Sequence, residues 1–492
     1  MPQPIEELKR VRIEKLEKLR DLGIDPYPAS WKFFDSRISN QELREKDLGS
    51  EVVAVGRIRA TRGHGGIVFV DIYDESGKIQ VCFREDGFNP QGPWEFNNLN
   101  LLDLGDFIGV RGELFKTEAG ELTILVEDLK LLSKTIRPLP SEWYGLKDKE
   151  ERYRKRYLDL IMNPEVREVF RKRTKILTLL RKYLDNHGFM EVETPILQPI
   201  YGGASARPFV THLEALDTDF YLRISNELYL KRLVVGGFEK VYEVSKDFRN
   251  EGIDRQHSPE FTQIEFYWAY ADYEDLMDFI EEMLCSVIEE ICGSLEVEFG
   301  EEKLDFTSPW NRITYRDLVL EQTGIDIDKV TTEKALLSEL KEKDLSIDLE
   351  GAVGYGAVLD NLYKEYCQPT LVQPTFLIEH PAELMPLAKR MSDDPSKIQS
   401  VQLLVSGYEL IKAYSELNDP QDQRERWEEQ EGLAAKGLEE HEALDEDYIE
   451  ALEYGMPPTA GWGMGIDRLT AILTNQPSIR DVILFPLMRP EK

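Results

Sequence analysis

FRNEGIDRQHSPEF, residues 248–261, and GWGMGIDRL, residues 461–469, say more about the fold than any other part of the sequence. In the first stretch, Arg249 offers a planar guanidinium fork suited to a phosphate, and Phe261 offers an aromatic face suited to a base. In the second, alternate glycines leave one face of a strand bare, so that a flat group can lie against the backbone. By itself the first stretch is more typical of surface ion pairs, and the second is equally typical of a strand packed on a helix. Neither stretch identifies a site alone.

The remainder of the C-terminal two thirds has a mixed helix and strand pattern. Apolar residues recur at helical spacing over 166–184 and 273–291. The β-rich runs are FYLRISNEL at 220–228, KVYEVSKDF at 240–248 and VQLLVSGYEL at 401–410, besides GWGMGIDRL. Strands and helices do not alternate as a Rossmann sheet requires, and the sequence has no GxxxxGK[ST] loop. Any nucleotide must therefore bind in another way.

The N-terminal part of the chain has the pattern of a helix followed by a small β-barrel. Apolar residues at helical spacing predict a helix over 5–22, which Gly23 ends. Between 51 and 132, five short β-rich runs are separated by glycine-containing turns, a pattern typical of the OB fold. Pro138 and Pro140 then mark a linker. We predict an α+β protein with a helical extension at 1–50, a barrel at 51–135, a linker at 136–155 and a larger domain at 156–492.

The composition is that of an ordinary globular protein. The 492 residues suffice for two or more domains, 41% of them are hydrophobic, and no apolar run is long enough to cross a bilayer. We expect no membrane association and a cytoplasmic location. The net charge of −33 argues against a polyanionic ligand without excluding one, because basic residues cluster locally, as at 152–156. The four cysteines match neither a metal knuckle nor a disulfide framework, so we predict no zinc.

A third stretch, GFMEVETP at 188–195, precedes the first two, and the three together resemble the motifs of class II aminoacyl-tRNA synthetases. Three further stretches resemble the lysine-specific members of that family: GGASARPF at 202–209, NELYLKRL at 226–233 and SELNDP at 415–420. The N-terminal barrel resembles their anticodon-binding OB domain at Gly56-Arg57, Phe69, Ile79-Gln80, 114–117 and 120–122. The resemblance covers nearly the whole chain.

The resemblance implies a catalytic domain built on an antiparallel sheet flanked by helices, with ATP bent over the sheet. Arg249 would hold the α-phosphate, Glu251 the adenine amino group, and His257 would reach toward the γ-phosphate. Phe261 and Arg468 would stack on the two faces of the adenine. Catalysis would rest on positioning and on charge stabilisation by Arg249, Arg468 and Mg²⁺, without a covalent enzyme intermediate.

Lysine carries two ammonium groups, so its pocket needs two acidic anchors. The resemblance implies Glu227 for the α-ammonium and Glu416 for the ε-ammonium. Tyr267 would add a hydrogen bond at the ε end, and the backbone near Gly203 another at the α end. A buried carboxylate without its ligand is costly, so neutral side chains should be strongly rejected.

The resemblance also implies that the barrel reads the anticodon of tRNA(Lys), by base stacking and contacts to base edges. The candidate residues on the barrel are Arg57, Arg62, Phe69, Gln80 and Glu121. A homodimer formed through 188–195 is expected from the family. The expected small-molecule partners are ATP, L-lysine and Mg²⁺.

Two positions depart from the family pattern. Relatives usually carry glutamate where this chain has Gln402 and asparagine where it has Lys412, whereas Glu409, the other expected Mg²⁺ ligand, is present. Each exchange raises the local charge by one unit, and the two together match the charge of one magnesium ion. We hypothesise that the Lys412 ammonium does part of the work of a Mg²⁺ ion. Glu409 then remains the metal ligand, with Gln402 the less suitable candidate. The alternative is that Lys412 pairs with a neighbouring carboxylate.

Other functions fit parts of the sequence. An aspartate or asparagine synthetase of the same subclass would share the barrel and the general motifs, but Glu416 within SELNDP argues against it. A synthetase-derived RNA-binding regulatory protein without catalysis would fit Gln402 and Lys412, although Arg249 and Arg468 are retained. A lysylase acting on a translation factor would resemble only the catalytic domain, and the barrel counts against it.

Overall fold

The computed structural model describes residues 5–30, 32, 36–88, 90, 92–140, 146–435 and 443–490. It divides into two compact units, Met1–Leu146 and Lys147–Lys492. Part of the predicted N-terminal extension (1–4, 31 and 33–35) and part of the predicted linker (141–145) lie outside the described residues. Within the described ranges, no helix combines the length and the apolar character needed to cross a bilayer.

The first unit is a helix followed by a closed five-stranded barrel. Its helix α1 (Ile5–Asp21) ends close to Gly23, which has a φ of +75°. The strands are β1 (Glu51–His64), β2 (Ile67–Tyr73), β3 (Lys78–Arg84), β4 (Phe107–Lys116) and β5 (Leu122–Ser133). They close in the order β1-β2-β3-β5-β4, in which only the β3–β5 pair is parallel. Alternate residues such as Ile72, Val81 and Ile124 fill the interior. The predicted helix and OB-type barrel are confirmed.

The second unit is built around an eight-stranded sheet with smaller sheets beside it. Its strands are β6 (Met190–Glu191), β7 (Leu197–Gln198), β8 (Phe209–Leu213), β9 (Thr218–Leu222), β10 (Lys240–Phe248), β11 (Glu260–Ala269), β12 (Glu296–Phe299), β13 (Glu302–Asp305), β14 (Asn311–Thr314), β15 (Thr375–Ile378), β16 (Ser400–Val405), β17 (Tyr408–Ser415) and β18 (Thr459–Gly465). Its helices are α2 (Lys149–Arg154), α3 (Arg156–Met162), α4 (Glu165–Asn186), α5 (Glu227–Val235), α6 (Tyr273–Cys292), α7 (Tyr315–Thr323), α8 (Glu333–Glu342), α9 (Tyr355–Leu362), α10 (Pro420–Ala434), α11 (Glu446–Glu453), α12 (Ile466–Leu473) and α13 (Ile479–Val482).

The large sheet has the order β14-β15-β16-β17-β18-β11-β10-β6. All inner pairs are antiparallel, and only the outermost pairs, β14–β15 and β10–β6, are parallel. One face packs on α4, α6 and α12 through a shared apolar core that includes Ile176, Ile280, Phe266 and Trp462. The predicted antiparallel sheet with flanking helices is therefore found, with parallel pairing added at both edges. The opposite face is left for a site.

Helix and strand boundaries differ from the sequence patterns at two places. The predicted helices at 166–184 and 273–291 are present as α4 and α6, the latter capped by Asp272. The β-rich run at 220–228 is a strand only as far as Leu222, and α5 begins at Glu227, whose backbone N–H donates to Ser225 Oγ. GWGMGIDRL is likewise a strand to Gly465 and then the helix α12. Short β-rich windows do not reveal such switches, because the caps and the packing that decide them are tertiary.

Candidate active site

The four central strands align polar residues of one sheet face in rows. The first row consists of Gln402, Lys412, Gly463 and Glu265. The second row consists of Tyr414, Gly461 and Tyr267. Because side chains alternate across a strand, both rows point away from the apolar core that lies under the sheet. The glycines of β18 keep the middle of this face open.

A cavity of about 1060 Å³ lies over this face. All twelve residues of the second unit that the sequence predicted as site residues line it. They are Gly203, Glu227, Arg249, Glu251, His257, Phe261, Tyr267, Gln402, Glu409, Lys412, Glu416 and Arg468. The fold thus gathers side chains from distant parts of the sequence into one site.

One end of the cavity is cationic and aromatic. The Arg249 guanidinium carbon lies 5.1 Å from the centre of the Phe261 ring. At the turn between β10 and β11, the Glu251 backbone N–H donates to the Arg249 carbonyl at 2.9 Å. An Arg468 guanidinium nitrogen lies 3.4 Å from His257 Nε2. Planar cations beside an aromatic ring suit a base and its phosphates.

The Gln402 amide is held by hydrogen bonds at both ends. Its Nε2 donates to Glu409 Oε2 at 2.7 Å, and its Oε1 faces Nε2 of His380 at 3.0 Å. Burial lowers the pKa of His380 to about 3, so the neutral ring donates to Gln402 while its other nitrogen, 2.9 Å from Ser400 Oγ, accepts. The reversed amide would place an oxygen against Glu409, which only accepts hydrogen bonds. The Gln402 amide oxygen is therefore already hydrogen-bonded to His380, which makes Gln402 a less suitable metal ligand than Glu409.

Glu409 and Lys412 are the charged groups near that amide. Of the two carboxylates expected to bind Mg²⁺, this chain has only Glu409, because Gln402 stands in place of the other. In the described part of the chain, no three His, Cys, Asp or Glu side chains are grouped to hold a metal. The Lys412 side chain is exposed to the cavity, and none of the described carboxylates forms an ion pair with it. The alternative prediction, a pairing of Lys412 with a neighbouring carboxylate, does not hold in this part of the chain.

The other end of the cavity is acidic and enclosed. Glu227 starts α5, and Gly203 packs against it with a φ of +82°, so close that a Cβ on the glycine would lie 3.0 Å from Glu227 Cβ. The Tyr414 hydroxyl lies 2.8 and 2.9 Å from the two Glu227 carboxylate oxygens and donates to them. Glu416, just beyond β17, is only 2% exposed. Two buried carboxylates thus meet at one end, which suits a cationic ligand.

Lys231 was not predicted from the sequence and lies beneath these carboxylates. It is one turn after Glu227 on α5, and its Nζ is 2.6 Å from Glu227 Oε1 and 2.5 Å from Glu416 Oε2. Burial alone would lower the pKa of Lys231, but attraction to the two carboxylates raises it well above its usual value. Burial raises the pKa of Glu416 to about 8, although Lys231 opposes the shift. The spacing of four residues on an amphipathic helix was the available signal.

Glu265 is a second residue missed in the sequence. It is buried on β11, accepts a hydrogen bond from Ser225 Oγ at 3.1 Å, and its pKa is raised well above the usual range by burial and then by Asp247. Glu265 could have been predicted from the alternation of side chains along a strand, because every second residue from Phe261 to Tyr267 lines the cavity.

The barrel of the first unit places its predicted residues on one outer face. Strand register sets Arg62 opposite Phe69 and Gln80 opposite Asp71. Arg62 donates to both Asp71 oxygens at 3.0 and 2.9 Å, and Gln80 Nε2 donates to Glu121 at 3.2 Å. The Arg57 guanidinium donates to the carbonyl of Gly105 at 3.2 Å, beside the Phe107 ring. The face combines hydrogen-bonding groups with an aromatic ring.

Comparison with known proteins defines the class. Residues 148–489 match the family model described as tRNA synthetases class II (D, K and N). Residues 52–132 match the model of an OB-fold nucleic acid binding domain. With the sheet and the cavity described above, the chain is an enzyme of the class II aminoacyl-tRNA synthetase type.

Relatives that match over nearly the whole chain identify the particular family within this class. The lysine–tRNA ligase of Carboxydothermus hydrogenoformans is 48% identical over 488 residues, which cover 99% of both chains. The lysine–tRNA ligase of Syntrophomonas wolfei is 47% identical over 99% of this chain and 98% of the relative. The lysine–tRNA ligase of Pelotomaculum thermopropionicum is 47% identical over 100% of this chain and 96% of the relative. The chain belongs to the lysine–tRNA ligase family.

Proposed function

We propose that this chain activates L-lysine with ATP and transfers it to tRNA(Lys). A lysine carboxylate oxygen attacks the α-phosphorus, pyrophosphate leaves, and a terminal ribose hydroxyl of the tRNA then displaces AMP from the lysyl-adenylate. The observation that carries the proposal is the cavity, which has a cationic, aromatic end and a buried acidic end. The two ends are complementary to a nucleotide and to the cationic groups of lysine.

The nucleotide roles follow from the residue types at the cationic end. Arg249 binds the α-phosphate and stabilises the charge that develops there, since a guanidinium fork matches phosphate oxygens. Phe261 and Arg468 stack on the adenine, Glu251 accepts from its amino group, and His257 approaches the γ-phosphate. Removal of the Arg249 or Arg468 charge should lower kcat, because these groups act on the transition state.

The lysine roles follow from the acidic end. Glu227 and the backbone at Gly203 hold the α-ammonium, and Glu416 holds the ε-ammonium. The Tyr267 hydroxyl supplies a further hydrogen bond at the ε end. The adjacent Glu265 lines the same wall of the cavity. A neutral side chain in this place would leave buried carboxylates without a partner, which is the basis of selectivity.

One carboxylate, Glu409, suits a Mg²⁺ ion that is held mainly by the phosphates of ATP. When bound, the ion neutralises charge on the phosphates. Gln402 contributes no ligand, and the Lys412 ammonium supplies a fixed positive charge to the same region. The requirement for added Mg²⁺ should therefore be low.

The test of the Lys412 role is Lys412→Asn. Adenylate formation should then need several-fold more Mg²⁺ for half-maximal rate, because a fixed charge has been removed. Lys364→Asn is a matched control: Lys364 lines the same cavity but pairs with Asp360 at 2.6 Å. An unchanged Mg²⁺ dependence in Lys412→Asn would refute the role.

The outer face of the barrel is the proposed anticodon-binding surface, with Arg57, Arg62, Phe69, Gln80 and Glu121 as its contacts. A homodimer and a cytoplasmic location complete the proposal and rest on the resemblance to the family. The domain limits given above, 1–50, 51–135, 136–155 and 156–492, are likewise proposed.

The experiment is ATP–pyrophosphate exchange with each amino acid in turn, without tRNA, across a Mg²⁺ titration. Exchange with lysine alone is expected. Exchange with aspartate or asparagine would show that the enzyme is specific for that amino acid and not for lysine. No exchange with any amino acid would favour an RNA-binding regulatory protein.

A further inference from the structure

Lys231 brings the two anchors of the lysine pocket together. Its ammonium touches one oxygen of Glu227 and one of Glu416, so those oxygens lie no more than about 5 Å apart. The anchors are therefore one connected acidic group, and not two isolated sites.

The surroundings of Lys231 exclude water. Its side chain is fully buried, and three tyrosine rings surround the ammonium, with centres at 5.8 to 6.0 Å. These rings belong to Tyr267, Tyr414 and Tyr448. Charges interact strongly in such a dry environment, and an unpaired one is costly.

The hydrogen-bond geometry leaves Glu416 open to a ligand. Its contact with Lys231 is close, but neither carboxylate oxygen of Glu416 has a well-directed hydrogen bond from the described residues. Glu416 nevertheless lines the cavity. Lys231 thus supplies charge to Glu416 without using up its acceptor directions.

On the basis of the proposed function, we propose that Lys231 is the internal counter-ion of the lysine pocket and a specificity-determining positioning residue. Once Glu416 has lost its proton, the two carboxylates and the Lys231 ammonium carry a net charge of −1, so the pocket favours a cationic ligand. Without Lys231 the two carboxylates would face each other and share a proton. A shared proton would satisfy the pair without substrate and weaken the demand for a cationic side chain.

Lysine binding should depend on pH through the groups around Lys231. The groups that face Lys231 are Glu227 from α5, Glu416 beyond β17, and the tyrosines 267, 414 and 448 from β11, β17 and α11. Glu265 on β11 and Arg232 on α5 lie next to them. Lys231 lowers the pKa of Glu416 against the effect of burial, so its loss should raise that pKa further. Lysine binding would then need a higher pH.

The test is the pH profile of kcat/KM for lysine in Lys231→Met, measured by ATP–pyrophosphate exchange. At pH 7 the KM for lysine should rise about tenfold for each unit by which the acid limb moves to higher pH. The KM for ATP should stay within twofold and serves, with thermal melting, as a check of folding. Lys231→Arg should keep the acid limb at its wild-type position.

The matched control is Lys240→Met. Lys240 also lies over aromatic rings, with Trp268 at 4.6 Å, but on the far side of the sheet from the cavity, and the pH profile of Lys240→Met should be unchanged.

A folded Lys231→Met enzyme with the wild-type profile, or with tighter lysine binding, would overturn the proposal. If Lys231→Met does not fold, Lys231→Gln replaces it. If neither folds, a shifted acid limb in Lys231→Arg would overturn the proposal and an unshifted one would support it. Absence of lysine-dependent exchange in the wild-type enzyme would refute the proposed function instead.

Discussion

Adding a single methyl group at Gly461, in the variant Gly461→Ala, should strongly weaken the recognition of lysine. Gly461 lies in the middle of β18, between Tyr414 and Tyr267 on the neighbouring strands. A Cβ at this position would lie 2.5 Å from Tyr267 Cε1 and closer still to Glu416 Oε1. Both neighbours are buried, so neither can swing into solvent.

The size of the effect follows from that distance. Ordinary contact begins at 3.4 Å, so in Gly461→Ala the Tyr267 ring and the Glu416 carboxylate must retreat by about 1 Å. A displacement of about 1 Å in a positioning group costs on the order of 100-fold in rate. We therefore expect kcat/KM for lysine in ATP–pyrophosphate exchange to fall about 100-fold. The KM for ATP should change little, because the nucleotide lies at the other end of the cavity.

Two other glycines of the same strand provide graded comparisons. A Cβ at Gly463 would lie 3.3 Å from Glu265 Cγ, and one at Gly465 would lie 3.9 Å from Arg468 Cδ. Gly463→Ala should have a smaller effect on lysine than Gly461→Ala, and Gly465→Ala should change the KM for lysine and for ATP little, because its Cβ would make only an ordinary contact. Equal losses for lysine and ATP in all three variants, or an unchanged KM for lysine in Gly461→Ala, would refute this account of the cavity.

The remaining predictions concern pH and tRNA. Because burial raises the pKa of Glu416 to about 8, lysine must displace a proton at lower pH. Its kcat/KM should therefore rise between pH 6 and pH 9, by at most about tenfold per unit, and Glu416→Gln should abolish the rise; a flat wild-type profile would contradict the prediction. On the barrel, Phe69→Ala should raise the KM for tRNA in aminoacylation by about 10-fold, since base stacking is worth roughly 1–3 kcal/mol. Lysine-dependent exchange without tRNA should be unaffected, and an equal loss in both assays would argue against an anticodon contact.

The sequence was sufficient for the parts of the site that belong to local motifs. Arg249 and Phe261 lie close together because β10 and β11 are antiparallel neighbours paired as far as Phe248 and Glu260. The sequence was insufficient to decide the role of Gln402, because a glutamine side chain can in principle bind a metal ion. Only the tertiary contacts of Gln402, with His380 on one side and Glu409 on the other, show that its amide oxygen is already hydrogen-bonded to His380.

The sequence alone determined the α+β architecture, the order of barrel and catalytic unit, and the lysine-specific motifs, because these depend on periodicity and on short runs of residues. The tertiary structure alone decided which charges meet. Lys231 has an ordinary helical position, and its significance appears only when β17 delivers Glu416 to the same ammonium. The energy of a charge depends on what surrounds it, and those surroundings come from strands and helices that are distant in sequence.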